Sequence, residues 1–148
     1  MSTLRTLRRH RRVLATVNLT AMVFWTLQSS AADFYKGTLN LGFETAGSWV
    51  ENAAPGASDT IVFSNLTSVT NFDLKLGTGT VAVGGLRFLN NLPGAMTIRP
   101  ANNVSSTLAI GAGGIDAQLA NQNMTFARTQ GTGVMTVSLT APQTWSIA

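Results

Sequence analysis

One pattern is written twice in this chain. Thr80-Val81-Ala82-Val83-Gly84-Gly85-Leu86 comes first, and Thr107-Leu108-Ala109-Ile110-Gly111-Ala112-Gly113-Gly114-Ile115 follows. Each copy has a threonine, two apolar residues separated by alanine, a glycine-rich corner and a further apolar residue. Apolar residues two apart follow the period of a strand, not of a helix. Paired glycines suit a sharp corner where the backbone needs positive φ. A strand, a corner and a second strand, repeated, predict rungs of a coil of β-strands. The glycine pairs at 84–85 and 113–114 stand 29 residues apart. That is longer than one compact turn, which predicts a bulging loop or an irregular coil.

The flanking sequence extends the pattern. Thr60-Ile61-Val62-Phe63 is β-branched and aromatic, as strands are. Phe72, Leu74 and Leu76 alternate with Asp73 and Lys75, and Leu39, Leu41 and Phe43 also alternate. Met96 and Ile98, Met124 and Phe126, Val134 with Val137 and Leu139, and Trp145 and Ile147 supply further short strands. Asn90 to Gly94, Pro100 to Ser106 and Ala53 to Asp59 read as turns, with Asp59 as a turn residue. Stacked rungs pair their backbones with neighbours and align inward side chains in columns. A single rung cannot offset its own ordering cost, so rungs come in series. At 148 residues the chain suits one such domain or part of a longer one.

The net charge of +4 is unevenly placed. Arg5, Arg8, Arg9, Arg11 and Arg12 precede residue 13, whereas the chain from Asp33 holds five basic and six acidic side chains. The positive charge is therefore no nucleic-acid footprint. Val13 to Leu27 is mainly apolar, and Gln28-Ser29-Ser30-Ala31-Ala32 ends in small residues. A positive start, an apolar middle and a small-residue end predict a signal peptide over residues 1–32. Ala32 is the first choice for the last residue removed and Ala31 the close second. The apolar run, diluted by Thr16, Asn18, Thr20 and Thr26, is short of the ~20 residues of a spanning helix. Arg11-Arg12 lacks the rest of a twin-arginine motif.

Catalytic types are scarce. The chain has no cysteine, and its one histidine, His10, lies in the basic segment. Nucleophile–histidine pairs and zinc sites therefore have no residues to build from after Asp33. Asp73 and Asp116, if on neighbouring rungs, are the candidates for calcium or glycosidase chemistry, but single acids between apolar strand residues are usually solvated. No catalytic, metal or cofactor residue is assigned. Trp49 and Trp145 are candidates for carbohydrate stacking, or for covering an end of the coil, which the architecture requires.

The order of four motifs carries a family resemblance. They are Trp49 with Pro55-Gly56-Ala57-Ser58-Asp59-Thr60-Ile61-Val62-Phe63, then Val81 to Phe88, then Leu108 to Ile115, then Ala141-Pro142-Gln143-Thr144-Trp145-Ser146-Ile147. Together they resemble the N-terminal part of bacterial autotransporter-associated β-strand repeat proteins. The resemblance covers most of 46–148. It implies a right-handed parallel β-helix (β-solenoid) segment after a signal peptide, exported to the cell surface or outside. Residues 33–68 would form the entry segment and 69–148 the rungs, with further rungs expected beyond. The function implied is that of a structural or adhesin-like passenger, with surface glycans or other proteins as partners and no nucleic acid. Membrane contact is expected only through the signal peptide or a C-terminal region that this sequence lacks. The alternative is a β-helix protein that binds or degrades polysaccharide.

Overall fold

The computed structural model describes residues 30–37, 41–67, 73–128 and 131–147. The basic and apolar segment of the expected signal peptide, apart from its last three residues, lies outside the described residues, as do Leu39 and Phe72. Among the described residues nine strands follow one another: β1 (Asp33–Tyr35), β2 (Thr60–Phe63), β3 (Asp73–Leu76), β4 (Gly79–Phe88), β5 (Met96–Pro100), β6 (Ser106–Ala117), β7 (Met124–Phe126), β8 (Met135–Leu139) and β9 (Trp145–Ile147). A 3-10 turn, Ala46–Ser48, lies between β1 and β2.

All pairings between named strands are parallel, and they form a β-solenoid of about four turns. One sheet runs β1-β2-β4-β6-β8, with β9 also on β6, and the other runs β3-β5-β7. The long strands β4 and β6 each serve two faces. Their first halves pair with each other and with β8, and their second halves pair with β2 and β9. Each turn therefore has three faces, and the third is the β3-β5-β7 sheet.

The period-2 pattern fixes which side chains enter the core. Ile61 aligns with Leu86, Leu86 with Ile115, and Ile115 with Trp145. Val81 aligns with Leu108, and Leu108 with Val137. Leu74, Ile98 and Phe126 form the matching column of the third face. Phe63 stacks on Phe88 with ring centroids 4.8 Å apart and planes 11° from parallel. Burying one such aliphatic side chain contributes about 1.5–3 kcal/mol. The columns thus supply the cohesion that no single rung has.

The 29-residue separation of the glycine pairs is one full turn of this three-faced coil, because Gly85 pairs with Gly114. The coil is also irregular there. Val83 pairs with Ile110 before the corner, so β6 carries two extra residues, taken up as a bulge. The corner glycines have different reasons. Gly114 has φ +61°, the conformation expected from the sequence. Gly84 does not share it; a Cβ there would overlap the Ser58 carbonyl. Close backbone approach, rather than φ, selects glycine at that position.

One expected strand is absent among the described residues. Leu41 lies outside any strand and Phe43 sits in a turn, joined to the sheet only by an isolated bridge from Gly42 to Lys75. The segment meets the edge of β3 through that single parallel bridge and forms no strand of its own among the described residues. Phe43 N–H still donates to Lys75 O at 2.8 Å, so its backbone is satisfied under β3.

Candidate functional site

The first end of the solenoid is closed by the chain between β1 and β2. An antiparallel bridge joins Lys36 to Trp49. The Trp49 indole is 3% exposed and donates its Nε1–H to Phe43 O at 2.9 Å. It meets Phe43 edge-on at 5.3 Å and Phe34 edge-on at 6.5 Å. An indole so enclosed has no face for a sugar, and its position is that of an end cap. Lys36 is buried beside it. Its Nζ donates to Ser48 O at 3.3 Å and lies 6.0 Å from the indole centroid. Burial lowers the Lys36 ammonium from 10.5 to about 8, because the charged form loses hydration.

Asp73 and Asp116, the sequence candidates for paired acid chemistry, are not brought together. Asp73 is on β3, in the three-stranded sheet, and Asp116 is on β6, in the other. Each faces an arginine. Arg99 holds Asp73 through Nε and Nη2, both at 2.9 Å. Arg87 lies between Asp33 and Asp116, at 2.9 and 3.9 Å. Register explains the second set, since Arg87 aligns with Asp116 on the next rung. Among the described residues no group of three or more acids or histidines is arranged to hold a metal ion.

The opposite end of the coil is open. Val137 and Leu139 of β8 and Trp145 and Ile147 of β9 are exposed, although Leu108, Ile110 and Ile115, aligned with the first three, lie in the core and Ala117, aligned with Ile147, packs against it. Below them a cavity of about 360 Å³ is lined by Ile115, Ala117, Met124, Phe126, Trp145 and Ile147, among others. Trp145 is 46% exposed, and its Nε1–H donates to Gln143 Oε1 at 2.8 Å. Of the two tryptophan candidates, only Trp145 offers a ring surface to solvent. The two are thus separated, one in each end of the coil. Among the described residues no helix is long and apolar enough to cross a membrane.

Two groups escaped the sequence reading. Lys36 gave no signal, because one lysine after two aromatics looks like a solvated strand residue. Asp59 has the turn role expected, since its Oδ2 accepts from Gly56 N–H at 2.7 Å. It also has a long-range one. Oδ1 accepts from Ala32 N–H at 3.0 Å, across 27 residues. Only the parallel pairing of β1 with β2 makes these two neighbours. Comparison of the chain with protein-family models, curated proteins and solved structures finds no match.

Proposed function

We propose that this chain is the cap-proximal segment of an exported β-solenoid that serves as a surface scaffold of passenger type and performs no catalysis. The observation that carries the proposal is the asymmetry of the two ends. Trp49 and its segment seal one end, while the core columns reach the other end with Val137, Leu139, Trp145 and Ile147 still exposed. Further rungs of the same polypeptide would cover those side chains and pair the open edges of β8 and β9. A coil capped at one end and extensible at the other is suited to display at a distance from the cell. The dispersed acids, of which Asp33, Asp73 and Asp116 face an arginine, are consistent with a structural surface. The basic and apolar N-terminal segment supports export. The test is to express the full chain in a Gram-negative bacterium and follow it by fractionation and by protease treatment of intact cells. Recovery outside the inner membrane is expected. Retention in the cytoplasm in full-length form would refute the proposal.

A second reading draws on one specific observation, the half-exposed Trp145 ring beside the 360 Å³ cavity. A sugar ring could stack there, as in glycan-binding modules. A glycan panel separates the two. Binding that is lost in Trp145→Ala favours recognition, and no binding leaves the scaffold reading in place.

A further inference from the structure

The first rung holds Ala32 by both of its backbone polar groups. Asp59 is 8% exposed, so its carboxylate is held away from water. Its Oδ2 is occupied by Gly56 N–H, and its Oδ1 points at the backbone nitrogen of Ala32. The carbonyl of Ala32 in turn accepts from Thr60 N–H at 2.8 Å. Both backbone polar groups of Ala32 are therefore taken by two successive residues of the next rung. Ser30, Ala31 and Ala32 are all exposed, so it is these two backbone contacts and not burial that set Ala32 apart. The neighbouring Asp33 carboxylate is occupied by Arg87 of β4, so it does not compete for the same nitrogen.

We propose that the mature protein begins at Ala32, and that its new α-ammonium binds the buried Asp59 carboxylate. The proposal rests on the export reading above. Hydrolysis of the Ala31–Ala32 peptide bond consumes one water and leaves a carboxylate on Ala31 and an α-amine on Ala32. At neutral pH that amine is mostly protonated. The amide N–H that Asp59 accepts from then becomes an ammonium, so a hydrogen bond with one charged partner becomes an ion pair with two. Removal of Ala32 as well would have the opposite effect. Asp59 Oδ1 would lose its donor, and Thr60 N–H would lose its acceptor. Asp59 is itself buried, so leaving its oxygen without a donor is costly. The peptidase rule accepts both positions, because small residues precede each bond. Of the two, only the start at Ala32 keeps both backbone contacts in the folded product.

The experiment takes the full chain, expressed with its own N-terminus in a bacterium with a general secretory pathway. The exported product is weighed intact and sequenced from its end. A chain starting at Ala32 is expected. A chain processed and exported but starting at Asp33 overturns the inference and leaves the export reading standing. A product that keeps Met1 and stays inside overturns both. A second measurement tests the ion pair itself by acylation of the α-amine at pH 6.5. Each pH unit by which the carboxylate raises the amine above its ordinary value of about 7.7 cuts the free amine about tenfold. Labelling about tenfold slower in the folded product than in the same product unfolded is therefore expected, with recovery in Asp59→Asn. Equal rates in the folded and unfolded wild-type product would overturn the pair, whether or not Asp59→Asn folds.

Discussion

Replacing Trp49 with alanine separates the cap from a ligand platform. The indole is 3% exposed, makes two edge-on aromatic contacts and donates one hydrogen bond to Phe43 O. Truncating a buried tryptophan costs about 3–5 kcal/mol. The lost hydrogen bond adds about 1 kcal/mol, partly recovered if water reaches the Phe43 carbonyl at the end of the coil. The expected loss is therefore about 4 kcal/mol, a large share of the ~5–15 kcal/mol that holds a domain together. With a urea dependence of about 2 kcal/mol per M, the midpoint falls by about 2 M. Trp49→Phe keeps the edge-on ring and loses the N–H, so about 1.5 kcal/mol is expected. Trp145→Ala removes a ring that is 46% exposed and should cost less than about 1.5 kcal/mol. Urea unfolding followed by far-UV circular dichroism measures all three in the full chain. A midpoint within ~0.5 M of wild type for Trp49→Ala would refute the cap. So would a larger loss at Trp145 than at Trp49.

Four further outcomes follow from particular residues. Gly84→Ala drives a Cβ into the Ser58 carbonyl and must move backbone, so it should cost about 1–3 kcal/mol in the same unfolding assay. Gly114→Ala combines φ +61° with a Cβ 2.6 Å from Thr144 O, so it should cost as much and loosen β9 first, read as faster amide exchange at Trp145–Ile147. The Asp73–Arg99 pair is half-sheltered, with side chains 24% and 12% exposed; Asp73→Asn should cost about 1 kcal/mol, while Asp33→Asn, whose pair with Arg87 is open to solvent, should cost less than about 0.5 kcal/mol. Lys36 is depressed by burial to about 8, so the folded state binds its proton less well than the unfolded state does. The penalty is complete below pH 8 and relieved as pH rises from about 8 towards 10.5, so stability should increase across that window. Lys36→Met should flatten the rise, and an unchanged slope would count against it.

The difference between what was legible and what was not follows from where each interaction lies in the chain. Alternation within Leu74 to Leu76, Val81 to Val83 and Leu108 to Ile110 is local, so it specified strands and core faces directly. The same alternation at Leu41 and Phe43 misled, because the segment meets the sheet only through one bridge at the edge of β3. Alternation says that one side is apolar, not that a neighbour is in place. The corner was legible as a corner, but its chemistry was not. Gly114 needs its φ, whereas Gly84 answers to a carbonyl 26 residues earlier.

The ends of the coil carry the same lesson into function. Trp49 and Trp145 both follow a small polar residue and look alike in sequence, yet one is sealed and the other half-exposed. Their environments depend on what stacks above or below, which no local window contains. Interior rungs of a solenoid obey a repeating rule and can be read from any one copy. Ends break the rule, since each must satisfy a free strand edge and an exposed apolar column once, by its own means. The first end does so with an indole, a buried lysine and the grip of Asp59 and Thr60 on Ala32. Those unrepeated residues, rather than the rungs, are where substitutions should discriminate between a scaffold, a binding module and a misassigned terminus.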